Sequence, residues 1–205
     1  MSSHSKAIII VILSGLIWSF GPLVVKNMID PQIYQLPYLV IRGLTVAIII
    51  SCYLLINEGI SFLEKILKID KTTMIGSLSL TTAFLGFIYS ISFTTAAVTL
   101  FMLALMPFLA SIIAFVFLTE KISLQNFISM VVALIGTVIM IYASSFSGSI
   151  FGLIMGFISS LGFAAFSVTL RSKSNFKKFY ILVYGGIFCA LISSAIMIVQ
   201  DQSFF

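Results

Sequence analysis

The sequence predicts an all-α integral membrane protein with about seven transmembrane helices, and three observations carry that prediction. Of the 205 residues, 60% are hydrophobic and only 8% charged, with a mean hydropathy of +1.23. A soluble domain of this size has to turn polar surface to water, whereas lipid removes that demand. The apolar residues fall into seven runs of about 20 residues, the length that crosses roughly 30 Å of hydrocarbon at 1.5 Å per residue. The charges lie mostly between these runs.

The runs are placed at 7–28, 36–57, 73–93, 97–118, 123–143, 148–170 and 178–199. Each reads as a helix, because a helix satisfies its own backbone hydrogen bonds in lipid. Barrel strands would be shorter and would alternate apolar with polar residues. Lys6 precedes span one, which lacks a small-residue cleavage site, so it reads as a spanning helix that also serves as an uncleaved targeting signal. Pro22 in span one withdraws a donor from the Trp18 carbonyl. Span two carries Arg42. The link 57–72 sets Phe62, Leu63, Ile66, Leu67 and Ile69 among charges, the pattern of a short helix lying in the interface or of a plain connector.

Span three places Gly76, Ser79, Ala83, Gly86 and Ser90 on one helical face. Span four holds Pro107 near its centre, where proline leaves the Leu103 carbonyl without its helical donor and bends the helix. It ends at "TEK", where Glu120 and Lys121 mark a boundary and Ser123 is placed to cap span five. Span five has Ser129, Ala133, Gly136 and Ala143, and span six has Gly148, Gly152, Gly156, Ser160 and Ala164 at four-residue intervals. Small residues let helix backbones approach in lipid. Spans three, five and six are therefore expected at tight contacts, with span six alternatively using its ladder for dimerisation.

Basic residues orient the chain. Lys6, Lys65, Lys68, Lys71, Lys121, Arg171, Lys173, Lys177 and Lys178 share one side, while the opposite links "FTTAA" and "SSFSGS" carry none. Only Lys26 and Arg42 lie towards the other side. The N-terminus is expected in the cytoplasm and "QDQSFF" outside.

Several functions lack their parts. The net charge of +5 belongs to links that orient a membrane protein, and no nucleic-acid-binding pattern accompanies it. Cys52 and Cys189 fall inside apolar runs without metal-ligand spacing, and His4 is the sole histidine. No metal site, catalytic triad or cofactor is expected, and no enzyme activity. No Walker loop appears, so ATP would not drive the protein directly.

"SGLIWSFGPLVVK" (14–26) aligns without gaps with "SSLGFAAFSVTLR" (159–171), setting Trp18 opposite Phe163 and Lys26 opposite Arg171. Five spans separate the two starts, and an odd number inverts the second unit. Inverted repeats favour a carrier over a channel or an enzyme.

The residues then resemble a known family. "GLIWSFGPLVVK", "PYLVIRG" and above all "ISFTTAAVTLFMLALMPFLASIIAFVFLTEKISLQNFISMVVALIGTVIMI" are similar to EamA-type carriers of the drug/metabolite transporter superfamily. That resemblance covers nearly the whole chain and implies ten helices in two inverted five-helix repeats. This chain then supplies one repeat at 7–143 and two helices of a second at 148–199, three helices short. The implied function is secondary transport of a small metabolite by alternating access, in the plasma (inner) membrane of a prokaryote. The alternative is a truncated, non-transporting subunit or regulator that needs a partner to complete the bundle, either a homodimer or complementing helices.

The candidate residues of a substrate pathway are Trp18, Arg42, Phe84, Tyr89, Met102 and Pro107. Arg42, roughly 7–9 Å inside span two, either meets an anionic substrate or snorkels to the interface against Tyr38. Pro107 either shapes a cavity or is a static kink. Trp18 is a cavity wall or lipid-facing bulk, and Phe84, Tyr89 and Met102 line a path or simply pack. All six acids lie in links or at helix ends, so coupling through an intramembrane carboxylate lacks its group. Exchange, facilitated movement or coupling through backbone groups is expected instead.

Overall fold

A computed structural model describes residues 3–120, 124–143, 149–171 and 175–202. Among these residues the chain forms nine helices and no strand: α1 (Ser3–Lys26), α2 (Pro31–Glu58), α3 (Ser61–Ile66), α4 (Lys71–Phe93), α5 (Ala96–Leu103), α6 (Met106–Leu118), α7 (Leu124–Ala143), α8 (Ile150–Arg171) and α9 (Asn175–Val199). Six stretches among the described residues are long and apolar enough to cross a membrane, with α5 and α6 forming one of them, Ala96–Leu118. The 20-residue α7 occupies span five. The protein is an all-α membrane protein of about seven spanning helices. Lys121, Ser123, Lys173, residues 144–148 of the "SSFSGS" link, and the last three residues lie outside the described residues. So do the side chains of His4, Ser129, Ala133, Ala143 and Lys177.

Local chemistry sets the helix ends. Asp70 caps α4 by accepting from the Thr73 amide at 3.4 Å and from the Thr73 hydroxyl. In "FTTAA", Thr95 caps α5 through the Val98 amide at 3.2 Å, and the Thr94 hydroxyl donates back to the Ser90 carbonyl at 2.7 Å. Thr119 ends α6 in the left-handed region, φ 54°. Pro31 opens α2 at its first position, where a missing amide proton costs nothing, which extends that helix five residues beyond the expected start. Pro22 leaves α1 continuous to Lys26, with one turn left to run. Pro107 does break its span. Ala104 and Leu105 form a tight turn, the Ala104 amide reaching the Leu100 and Phe101 carbonyls and the Leu105 amide reaching that of Met102.

The core is built on α4. Its small-residue face meets α8 at backbone contact, while towards α9 its Gly76 faces the Ile181 side chain and its Leu80 side chain faces Gly185. A Cβ added at Gly86 would lie 2.7 Å from the Met155 carbonyl oxygen, and one at Gly162 would lie 2.7 Å from the Ala83 nitrogen. Ser159 closes this crossing by donating to the Ala83 carbonyl at 2.8 Å. Towards α9, the Ser77 and Thr81 hydroxyls lie 3.1 Å from the carbonyl oxygens of Ile181 and Gly185. α2 crosses α9 at a glycine pair: a Cβ on Gly43 would lie 2.6 Å from the Gly186 oxygen, and one on Gly186 would lie 2.6 Å from the Gly43 oxygen.

The span-six ladder is therefore used inside the chain. Gly152 faces Phe93 and Thr94, and Gly156 faces Ser90 and Met102. Ala164 packs with Ala110, Ala114 and Val168. The expectation for span five fails. α7 lies at the periphery, touching α5 and α6 only lightly. Nothing lies within 4 Å of a Cβ placed on Gly136, and Val132, Val138 and Ile139 are exposed. Small-residue spacing permits close approach but does not choose a neighbour, and the α4 face is already filled by α8 and α9.

The crossings yield a graded prediction. Gly86→Leu and Gly43→Leu drive a side chain into backbone and should cost about 3 kcal/mol or more, seen as a lowered thermal midpoint in detergent. Gly136→Leu and Gly15→Leu enter open space and should leave that midpoint unchanged. Equal effects at all four positions would contradict the packing described.

Candidate substrate pathway

Three of the six sequence candidates meet at one place. The Arg42 guanidinium lies over the Phe84 ring, its carbon 4.4 Å from the ring centroid. Phe84 meets Phe163 edge-on at 6.1 Å, and Phe163 meets Trp18 edge-on at 6.1 Å. Trp18 in turn stacks on Phe87 at 5.7 Å with 23° between the planes. The cluster thus joins α1, α2, α4 and α8. By helical rise, Trp18 lies about 12 Å from the Lys26 end of α1, Arg42 about 17 Å from the start of α2, and Phe84 about 14 Å from the end of α4. These depths are near the middle of a hydrocarbon core of roughly 30 Å. The Lys26 ammonium donates to the Thr94 carbonyl at 2.5 Å, which puts those ends of α1 and α4 together.

Arg42 is half-buried and does not stack on Tyr38. Because α2 begins at Pro31, Arg42 lies further from the start of its helix than expected, and its side chain meets Phe84 of the neighbouring α4. The two ion pairs among the described residues join Lys65 to Glu58 and Arg171 to Glu120. Neither involves Arg42, and no hydrogen bond occupies its donors among those residues. A guanidinium at this depth has a large desolvation cost. A cation–π contact returns roughly 0.5–2 kcal/mol of it and leaves all five N–H donors open. In chemical terms this is a cation with unfilled donors beside aromatic faces, suited to an anionic group attached to a flat or apolar body.

The other candidates lie elsewhere. Tyr89 stacks with Phe93 at 6.3 Å and meets Phe151 edge-on at 6.0 Å, in a separate group towards the Lys26 end. Met102 is buried against Gly156. Pro107 is exposed on α6. Phe87 and Phe163 were missing from the candidates. Phe163 had a signal, since it is the residue opposite Trp18 in the aligned repeat. Phe87 had none beyond lying three residues after Phe84, on the next turn of the helix.

Glu120 pairs with Arg171 at 2.9 Å, both about half exposed, which fastens the ends of α6 and α8. Such a pair contributes about 0–1 kcal/mol. Cys52 is exposed and Cys189 buried, and neither forms a disulfide. No group of His, Cys, Asp and Glu among the described residues is arranged to hold a metal ion.

Residues 5–142 match the EamA-like transporter family. No curated protein and no solved structure matches the chain.

The cation–π contact predicts a measurable coupling. Phe84→Leu keeps the apolar bulk and removes the π face. In unfolding titrations in micelles it should cost about 1 kcal/mol more in the wild type than in an Arg42→Met background. A coupling energy of zero would place the guanidinium elsewhere.

Proposed function

The chain belongs to the EamA-like transporter family, and from that membership we propose that it is a secondary carrier of a small anionic metabolite, working by alternating access. Its family is one of transporters rather than enzymes. The observation that carries the reading is Arg42: a guanidinium well inside α2, held by an aromatic ring, with no ion pair or hydrogen bond among the described residues. Trp18, Phe84, Phe87 and Phe163 supply the apolar walls. All six acids lie at helix ends or in links (Asp30, Glu58, Glu64, Asp70, Glu120 and Asp201). Exchange or facilitated movement fits that placement better than coupling through an intramembrane carboxylate.

The proposal includes orientation and internal symmetry. Lys65, Lys68, Lys71, Arg171 and Lys178 share one end of the bundle, which the positive-inside rule assigns to the cytoplasm together with the N-terminus. An inverted repeat is supported by contacts that read the same in both directions. Gly43 meets the Gly186 oxygen and the Ala190 nitrogen at 2.6 and 2.9 Å, and Gly186 meets the Gly43 oxygen and the Ala47 nitrogen at the same two distances. Trp18 and its aligned partner Phe163 also touch. A two-fold axis in the membrane plane, passing between α2 and α9, would produce this pattern.

That symmetry favours a second reading. α8 is covered by α4, while its counterpart α1 is largely exposed, with Ile17 73% and Trp18 45% accessible. A further helix placed on α1 as α4 is on α8 would close the cluster. On this reading the chain is a subunit that works with complementing helices or with a second copy.

Counterflow in proteoliposomes with pooled labelled anions tests both readings. The carrier reading expects uptake that Arg42→Ala reduces at least tenfold at unchanged protein level; normal flux in that variant sinks it. Flux that appears only after a three-helix partner is added would select the subunit reading.

A further inference from the structure

The link between α2 and α4 borders a cavity at the basic end of the bundle. α3 lies across the ends of α2 and α9, held by Phe62, which is 3% exposed and packs on Tyr180 with ring centroids 5.9 Å apart. Beside it is a cavity of about 250 Å³ lined by Lys65, Lys68, Asp70, Thr73, Tyr180 and Tyr184. Part of the lining is already satisfied. One Glu58 oxygen accepts from the Lys65 ammonium at 2.7 Å and from the Tyr180 hydroxyl at 2.8 Å. Asp70 is engaged as the cap of α4.

Tyr184 is different. It is 8% exposed, one turn further into the membrane than Tyr180, and packed with Leu54, Phe62 and Val183. Its hydroxyl oxygen is buried and has no hydrogen-bond partner among the described residues. A hydroxyl stripped of water and left unpaired is costly, and the residue that carries it lines the cavity. At the mouth, the Lys68 ammonium makes no ion pair or hydrogen bond among the described residues, and Lys65 is half exposed beyond its contact with Glu58.

We propose that this cavity binds a phosphate ester of headgroup size. The ammonium groups of Lys68 and Lys65 hold the phosphate at the mouth, and the Tyr184 hydroxyl donates to an ester or alcohol oxygen at the floor. A tetrahedral phosphate offers acceptors on several sides, and lysine binds it as a point charge. Basic recesses between helices at the cytoplasmic boundary are suited to anionic headgroups. The same chemistry would come from a membrane lipid or from a free phosphate ester. Either ligand would fasten α3 over α9 and leave the aromatic cluster at mid-depth untouched.

The test uses the full chain, purified in an uncharged detergent and a phosphate-free buffer. Thermal midpoints are read with short-chain phosphatidylglycerol, with glycerol 3-phosphate, and with a phosphate-free glycolipid of the same chain length. The expected result is a rise of roughly 5 °C with a saturating phosphate ligand and none with the glycolipid. A rise with the phospholipid alone identifies a lipid site; a rise with both phosphates identifies a site for free esters. Tyr184→Phe removes an orphaned hydroxyl and Lys68→Gln changes an exposed side chain, so neither should lower the midpoint without ligand. Each should weaken the half-maximal ligand concentration about tenfold. The proposal is overturned if neither phosphate raises the wild-type midpoint, if the glycolipid raises it equally, or if both variants respond as the wild type does.

Discussion

How closely α4 can approach α8 and α9 decides the rest of this bundle. Lipid tails are as apolar as leucine, so helices gain little by hiding side chains from them. Association depends instead on van der Waals contact and on hydrogen bonds between helices. At Gly86 and Gly162 the backbones touch, and at Gly43 and Gly186 they do so again. Ser159, Ser77 and Thr81 add hydroxyls directed at carbonyls of the facing helix. The Ser77 and Thr81 hydroxyls also lie 2.8 and 2.9 Å from the Thr73 and Ser77 carbonyls of their own helix, whereas the Ser159 hydroxyl takes its carbonyl from across the crossing. The same short stretch of α4 thus supplies both the fit and the polar pairing.

The aromatic cluster follows from that packing. Arg42 precedes Gly43, so the close crossing of α2 with α9 fixes the height at which the guanidinium leaves α2. Phe84 and Phe87 flank Gly86, so the α4–α8 crossing sets where their rings stand. Phe163 follows Gly162 in the same way. Three glycine contacts therefore place a cation and three rings within reach of one another, and Trp18 joins from α1. Side chains built on rigid, interlocked helices hold a site better than side chains on links. The open side of the site is the side on which α1 has few neighbours.

Proline and charge act at different levels. Pro107 divides span four into α5 and α6 and so changes the path of the backbone, and its own ring is exposed. Glu120, which looks chemical in the sequence, fastens two helix ends through Arg171. The intervening segment 57–72, which reads more readily as a connector, contains α3 and contributes Lys65, Lys68 and Asp70 to a cavity that Tyr184 also lines. In each case the distinction lies between a residue's own chemistry and the neighbours the fold provides.

The sequence by itself determined that the chain is helical and lies in a membrane, where its spans run, and which family it belongs to. Composition, run length and the "FTTAA" to "TEK" stretch are local properties that survive without tertiary information. It also marked Trp18, Arg42 and Phe84, because a cation and large aromatics inside apolar runs are legible one residue at a time. It did not separate these from Tyr89, Met102 and Pro107, since spacing along one helix says which side chains share a face but not which helix that face meets. For the same reason the small residues of span five looked like those of spans three and six, although Gly136 meets nothing. Only the tertiary structure decided that α4 takes α8 and α9 as neighbours, which brought Phe87 and Phe163 into the cluster and left the Tyr184 hydroxyl without a partner among the described residues. Contacts between helices far apart in the chain depend on the complementarity of two surfaces at once, and a single strand of sequence displays only one of them.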